Sequence, residues 1–298
     1  MIRLVVSCGD PSGVGPQLAA KLLNENPERP WAVDLTGPPE LWRSLGVTES
    51  KATRFIGDNN APTTRPGEPC TAGAEIQCRG LIQALEHLEA GQADAIVTLP
   101  VNKLQMRAGG IDEAGHTELF RRRYPESELT MVFRSDQRWL GLATDHIPLR
   151  RVPEALSPER IASAAEALHR ASCKPVALCG LNPHAGEGGM LGDEELRLEP
   201  ALELLRRAGV PHRGFLPADG LFARWSGLEA ILALYHDQGL APFKAMTANR
   251  ACQISLGLPF VRTSPDHGTA YELAKSGEGD PGSTRVAFDT AWRLAQAL

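Results

Sequence analysis

Short apolar runs alternate with longer segments of helical periodicity along most of this chain, and that alternation constrains its fold more than any other feature. Ile2–Cys8, Ala32–Leu35, Ala95–Leu99, Pro175–Cys179 and Ala230–Tyr235 read as buried strands, and Cys252–Leu256 as a further one. Between them, Ala72–Ala90 repeats apolar residues at helical spacing (Ile76, Leu81, Leu85, Leu88), as does Ile161–Arg170. Ser157 before Pro158 supplies an N-cap and a first-turn proline for the second of these. Asp193–Arg207 and Ser283–Ala297 read as two more amphipathic helices. Strand–helix alternation of this kind builds a mainly parallel sheet covered by helices, an α/β fold. Leu129–Thr144 breaks the rhythm: apolar stretches flank Ser135-Asp136-Gln137, the pattern of an antiparallel hairpin, which hints at a second domain. Asp58–Pro69, rich in Pro, Asn and Thr, reads as a loop.

With 298 residues the chain has room for one large or two medium domains. A net charge of −5 argues against nucleic acid or an anionic membrane as the main partner. No segment approaches the ~18 apolar residues of a membrane span, and the N-terminal apolar run breaks at Gly9, too early for a signal peptide. A cytoplasmic protein is expected. None of the 6 cysteines forms a CxxC pair, so they read as incidental thiols in a reducing compartment.

Chemistry concentrates where apolar runs meet polar loops. Gly9–Pro16 (GDPSGVGP) follows the first strand and leads into a helix; it is either a tight turn or a loop packed close to a ligand. It lacks the ending of a Walker loop and the GxGxxG spacing. Of 8 histidines, His87, His169 and His212 lie in helical or surface contexts. His116, His146, His184, His236 and His267 each sit in a polar or glycine-containing segment beside an apolar run. Imidazole is the commonest neutral ligand for zinc-like metals, so several of these could converge on one ion, although their spacing has no motif value. Lys244 and Arg262 flank the Cys252–Leu256 strand, which holds Gln253; they are either a phosphate or carboxylate clamp or two solvated basic residues.

In order, GDPSGVGP, VTLPVNK (Val97–Lys103), GHTE (Gly115–Glu118), LNPHAGEGG, YHDQGL and LGLPFVRTSPDHGTA (Leu256–Ala270) closely resemble the 4-hydroxythreonine-4-phosphate dehydrogenase family of vitamin B6 biosynthesis. The resemblance runs from residue 2 to the C-terminal helix. It implies an α/β fold of two α/β domains flanking a cleft, isopropylmalate dehydrogenase-like with a mainly parallel sheet. Residues 1–126 with 243–298 would form the cofactor-side domain, and 127–242 the dimerisation and metal-site domain. It further implies a homodimer with active sites at the subunit interface, NAD as cofactor (NADP being the alternative) and a divalent metal, zinc first, with magnesium, manganese or cobalt as alternatives.

By the same resemblance the metal ligands fall on His146, His184 and His236, the third contributed by the partner subunit. The substrate contacts fall on His116, Thr117, Lys244, Gln253 and Arg262, with Lys244 and Arg262 on the phosphate. Gln253 stands where the family usually has Asn, one methylene longer, a difference worth about 1–3 kcal/mol in a tight pocket. His267–Ala274 resembles the adenosine-binding loop of isopropylmalate dehydrogenases, which would put His267, Gly268 and Glu272 on the cofactor. The chain is shorter than typical members, as trimmed surface loops would make it.

The implied reaction oxidises the hydroxyl of 4-phosphooxy-L-threonine; the resulting 2-amino-3-oxo acid loses carbon dioxide to give 3-amino-2-oxopropyl phosphate. Asp237 is the candidate base or the carboxylate behind His236, provided the chain bends at Asp237-Gln238-Gly239, because strand neighbours face opposite sides. Three alternatives stand beside this reading: a four-carbon sugar-acid phosphate such as D-threonate or D-erythronate 4-phosphate, a dihydrodiol of an aromatic dicarboxylate, and a metal-dependent phosphatase or hydrolase.

Overall fold

A computed structural model describes residues 1–57, 63–113, 115–248 and 250–297. The strands are β1 (Arg3–Ser7), β2 (Ala32–Leu35), β3 (Thr53–Phe55), β4 (Ala95–Thr98), β5 (Thr130–Ser135), β6 (Arg138–Leu142), β7 (Val176–Cys179), β8 (His212–Leu216), β9 (Ala230–Ala233), β10 (Cys252–Leu256) and β11 (Val261–Pro265). The chain divides into two compact units: Met1–Ser127 with Asn249–Gln253 and Leu258–Leu298, and Glu128–Ala248 with Ile254–Gly257. The division falls within β10, whose first two residues go with the first unit and the rest with the second.

In the first unit the strands run β3-β2-β1-β4-β11, every neighbour parallel. β1, β2 and β4 are buried along nearly their whole length, as the continuous apolar runs predict for a parallel sheet covered on both faces. The helix Thr71–Glu89 packs on β1 and β4, and Gly282–Ala295 on β11 and β4. Ile76, Leu81, Leu85 and Leu88 are all buried on the inner face of the first of these helices, and each such side chain contributes about 1.5–3 kcal/mol through removal from water.

In the second unit the order is β5-β6-β9-β7-β8. β5 and β6 form the expected hairpin, with Ser135 opposite Arg138 across a two-residue turn in which Asp136 takes a left-handed φ of 49°. The remaining pairs are parallel. The helix Pro158–Ser172 covers β6 and β9, and Ser157 Oγ accepts from Arg160 N at 3.2 Å, the cap foreseen from sequence.

Three local readings differ. Asp193–Arg207 is two helices, Glu194–Leu198 and Pro200–Arg207, because Pro200 lacks the N–H that one continuous helix needs. Asp237-Gln238-Gly239 is no turn: the strand ends at Ala233 and a helix, His236–Thr247, begins at the histidine itself. Of the Asp58–Pro69 loop, residues 58–62 lie outside the described residues, and the rest holds an isolated bridge between Arg65 and Glu68. Among the described residues no helix is long and apolar enough to cross a membrane.

Candidate active site

Parallel strands present the loops at their carboxyl ends to ligands, and in the first unit three adjacent strands do so with motif residues. β1 ends in the Gly9 loop, β4 in Leu99–Asn102 and β11 in Asp266–Ala270. Gly9 has φ +63°, and a Cβ there would stand 2.4 Å from the Pro100 carbonyl oxygen; only glycine lets the two loops meet. Asp10 N then donates to Pro100 O at 2.9 Å, and Val14 N to Thr269 O at 2.8 Å. Side chains complete the join. The fully buried Asp10 accepts from Ser12 N at 2.9 Å and from the Tyr271 hydroxyl at 2.5 Å, and that hydroxyl accepts from Asn102 Nδ2 at 2.6 Å. Burial, and then the bond to Asp10, push the Tyr271 phenol up to about 12. Asn102 also caps the helix Lys103–Ala108 and pairs in both directions with Gln77.

Beside this network lies a second group. Arg262, on β11, is 1% exposed. Its Nε and Nη2 donate to Thr98 Oγ1 at 3.1 and 2.7 Å, and its guanidinium lies 5.4 Å from the Phe120 ring centre. His116 opens the helix His116–Arg123 and stacks on the same Phe120. Its Nε2 is buried and has no hydrogen-bond partner among the described residues. Burial, with Arg262 adding to it, lowers the imidazole to about 3, and burial lowers Arg262 to about 9. At neutral pH this is therefore a neutral ring near a cation. Thr117 is buried and Gln253, on β10, half-buried. His267 has a second buried, unpartnered Nε2 among the described residues; Gly268 and Glu272 are exposed, and Glu272 pairs with Lys275 at 3.5 Å.

The second unit repeats the plan with histidines. His146 follows β6, His184 follows β7 and His236 follows β9; these strands are neighbours, with β9 between the other two. The β6 and β9 ends are held together by Ala143 N on Ala233 O and by the Thr144 hydroxyl on Leu234 O at 2.6 Å. His146 and His236 consequently lie side by side, ring centres 5.4 Å apart, within one chain. His236 Nδ1 is 2.7 Å from Asp237 Oδ1, so the carboxylate stabilises the Nδ1–H tautomer and leaves the Nε2 lone pair for a ligand. Gln238 links the β7 and β9 ends, accepting from Leu234 N at 2.7 Å and donating to Gly180 O at 2.6 Å.

His184 sits in a run of left-handed residues, His184, Ala185, Gly186, Glu187 and Gly188, with φ between 44° and 77°. For a residue with a Cβ this costs about 1–2 kcal/mol each. Glu195 braces the loop, accepting from Leu181 N, Asn182 N and Asn182 Nδ2 at 2.8, 2.7 and 3.0 Å. The donor chemistry of His146 and His236 fits a divalent metal, but no group of three His, Cys, Asp or Glu positioned to hold one occurs among the described residues. Lys244 is exposed on the helix His236–Thr247.

Sequence reasoning missed Asp10, Thr98, Asn102, Tyr271 and Glu195, although all but Glu195 lie in quoted motifs. The signal available was a polar residue inside an otherwise apolar strand end. The remaining histidines are half-buried rather than surface residues: His87 Nε2 is 2.7 Å from Asp34, His169 Nδ1 2.7 Å from Lys174 O and His212 Nδ1 2.8 Å from Val210 O.

The fold and these loops define an α/β protein that gathers its polar groups at the carboxyl ends of parallel strands. A family model described as "Pyridoxal phosphate biosynthetic protein PdxA" matches residues 31–291, and the chain belongs to that family. A 4-hydroxythreonine-4-phosphate dehydrogenase from Pseudomonas aeruginosa is 35% identical, the match covering 99% of this chain and 98% of that protein. The crystal structure of a 4-hydroxythreonine-4-phosphate dehydrogenase from Klebsiella pneumoniae matches with a TM-score of 0.83 at 30% identity, covering 99% of each chain. A terephthalate 1,2-cis-dihydrodiol dehydrogenase from Burkholderia xenovorans matches with a TM-score of 0.71 at 24% identity, covering 99% of this chain and 97% of that one, a likeness of fold alone.

Proposed function

We propose that this chain is a dehydrogenase that oxidises the secondary hydroxyl of 4-phosphooxy-L-threonine with NAD. The observation that carries the reading is the pairing of a fully buried guanidinium, Arg262, with the buried and unpartnered Nε2 of His116. A buried polar atom with no partner calls for a ligand that supplies one, and the adjacent cation calls for that ligand to be an anion. The shared name of the relatives supports the particular acid.

Arg262 and Lys244 hold the substrate phosphate, fixing the distance from that anion to the reacting carbon. His116 is neutral at working pH and meets the substrate through hydrogen bonds, with Thr117 and Gln253 beside it. His267, Gly268 and Glu272 take the adenosine end of the cofactor. The carboxylate of Glu272 accepts from ribose hydroxyls and repels a 2′-phosphate, which favours NAD over NADP. His146, His184 and His236 would hold a divalent metal, zinc first, which would supply a Lewis acid for the substrate hydroxyl. Asp237 fixes the His236 tautomer and is our candidate acceptor of the hydroxyl proton; a bound nicotinamide would supply the hydride acceptor for the same carbon. The product carries a ketone β to the carboxylate, so it loses carbon dioxide to give 3-amino-2-oxopropyl phosphate. We expect this form of the protein to be a cytoplasmic homodimer.

The test is NADH formation by metal-loaded protein on 4-phosphooxy-L-threonine, D-threonate 4-phosphate and D-erythronate 4-phosphate, with and without chelator. Turnover on the amino acid, abolished by chelator, is expected. Turnover on the sugar acids alone would replace the substrate, and release of phosphate without NADH would replace the reaction class.

A further inference from the structure

Arg262 can recognise a phosphate in a defined geometry only if its guanidinium is held in one orientation, and the first unit supplies two restraints. The Phe120 face, 5.4 Å from the guanidinium carbon, sets the plane of the group. Thr98 Oγ1, accepting from both Nε and Nη2, sets its rotation within that plane. Two N–H groups on one acceptor is an arrangement a lysine could not reproduce.

The register explains why the strand carries a threonine there. Arg262 lies opposite Ile96 and Thr263 opposite Val97 in the parallel β11–β4 pair. Thr98 is two residues beyond Ile96 and so shares the face from which Arg262 projects. The side chain must run along β4 for roughly 7 Å, two residues at about 3.3 Å each, to reach it. That span carries the guanidinium to the carboxyl end of β4, where α/β proteins place ligand-binding groups. Thr98 is fully buried, and its hydroxyl faces the Thr263 carbonyl at 3.5 Å, a long contact beside the two shorter bonds it accepts.

We infer that Thr98 is a positioning residue for the substrate phosphate, acting through the Nε–Nη2 edge of Arg262; this rests on the reading of Arg262 as a phosphate-binding group. Its effect should fall on binding of phosphorylated substrate rather than on the oxidation step, because it acts only through the group assigned to the phosphate.

The test compares Thr98→Val, which keeps the shape and removes the acceptor, with Thr98→Ser, which keeps the acceptor. Thr98→Val should raise KM for 4-phosphooxy-L-threonine roughly tenfold, since each bond to a charged group is worth that much or more, while kcat stays within about twofold. Inorganic phosphate, used as a competitive inhibitor, should weaken by the same factor. Thr98→Ser should restore both. Thr98→Ala carries the same comparison should the valine variant not fold. An unchanged KM in the valine or alanine variant, a fall in kcat alone, or a serine variant as impaired as the valine one would overturn the inference. Arg262→Ala separates it from the reading beneath: if that variant keeps the parental KM, Arg262 is not the phosphate group at all. If it raises KM and Thr98→Val does not, only the role of Thr98 falls. In the double variant the two effects on KM should not multiply, and full multiplication would show that Thr98 acts elsewhere.

Discussion

The two units use the same device, three adjacent parallel strands ending in motif loops, and secure those loops in opposite ways. In the first, the loops after β1, β4 and β11 are locked by buried side chains, with Asp10, Tyr271 and Asn102 in one chain of hydrogen bonds. In the second, the loops after β6, β9 and β7 are tied at their bases by Thr144, Gln238 and Glu195, while His146 and His184 stand exposed and His236 half-exposed. Buried polar networks must be fully paired to be tolerated, and once paired they fix geometry. The first cluster is thus built to hold a shape in advance, whereas the histidines of the second stand where solvent or a ligand can reach them. The left-handed run around His184 fits this division, because a strained loop persists only where its surroundings hold it.

The comparison breaks most visibly at His184. His184→Ala should reduce turnover by more than about a thousandfold if a metal ligand is lost, with the unfolding midpoint of the metal-free protein unchanged because the side chain is exposed. Metal content measured alongside NADH formation decides the matter, and full activity at equal metal loading would remove His184 from the ligand set. A smaller effect of the opposite kind belongs to the first unit. Tyr271→Phe strands Asp10 Oδ2 and Asn102 Nδ2, so urea unfolding should show a loss of about 1–3 kcal/mol. An unaltered midpoint would mean that the network is not what holds those loops.

A third effect, confined to acid conditions and absent at neutral pH, is one of pH. In the folded chain His116 titrates at about 3, against roughly 6.5 when unfolded. Between these values the unfolded state binds the extra proton, so His116 makes stability fall as pH drops from about 6.5 toward 3 and contributes no slope above that window. His116→Gln should flatten the stability curve below pH 6.5, read from unfolding midpoints at several pH values. A curve as steep as the parent's would show that the imidazole is not held neutral.

The apolar runs were enough to find the buried strands, since a strand covered on both faces has little choice of residue. The hairpin was legible for the same reason at Ser135-Asp136-Gln137, where a turn residue interrupts two apolar stretches. β3, β8 and β11 escaped that reading because they are short, at the sheet edge, or polar on part of their length. The start of the helix at His236 escaped it too: its first turn contains Asp, Gln and Gly, residues that a turn would also use.

The sequence by itself determined the α/β class, the candidate loops and, through six ordered motifs, the family whose model the chain matches. Only the tertiary structure decided which polar residues meet. Asn102 and Tyr271 are 169 residues apart, and Tyr271 and Asp10 are 261 apart, yet one hydroxyl joins them. The orientation of Arg262 by Thr98 is of the same kind, set by the pairing of β11 with β4. Periodicity records which face of an element is buried, whereas partnership across a sheet depends on strand order and register, which no local pattern encodes.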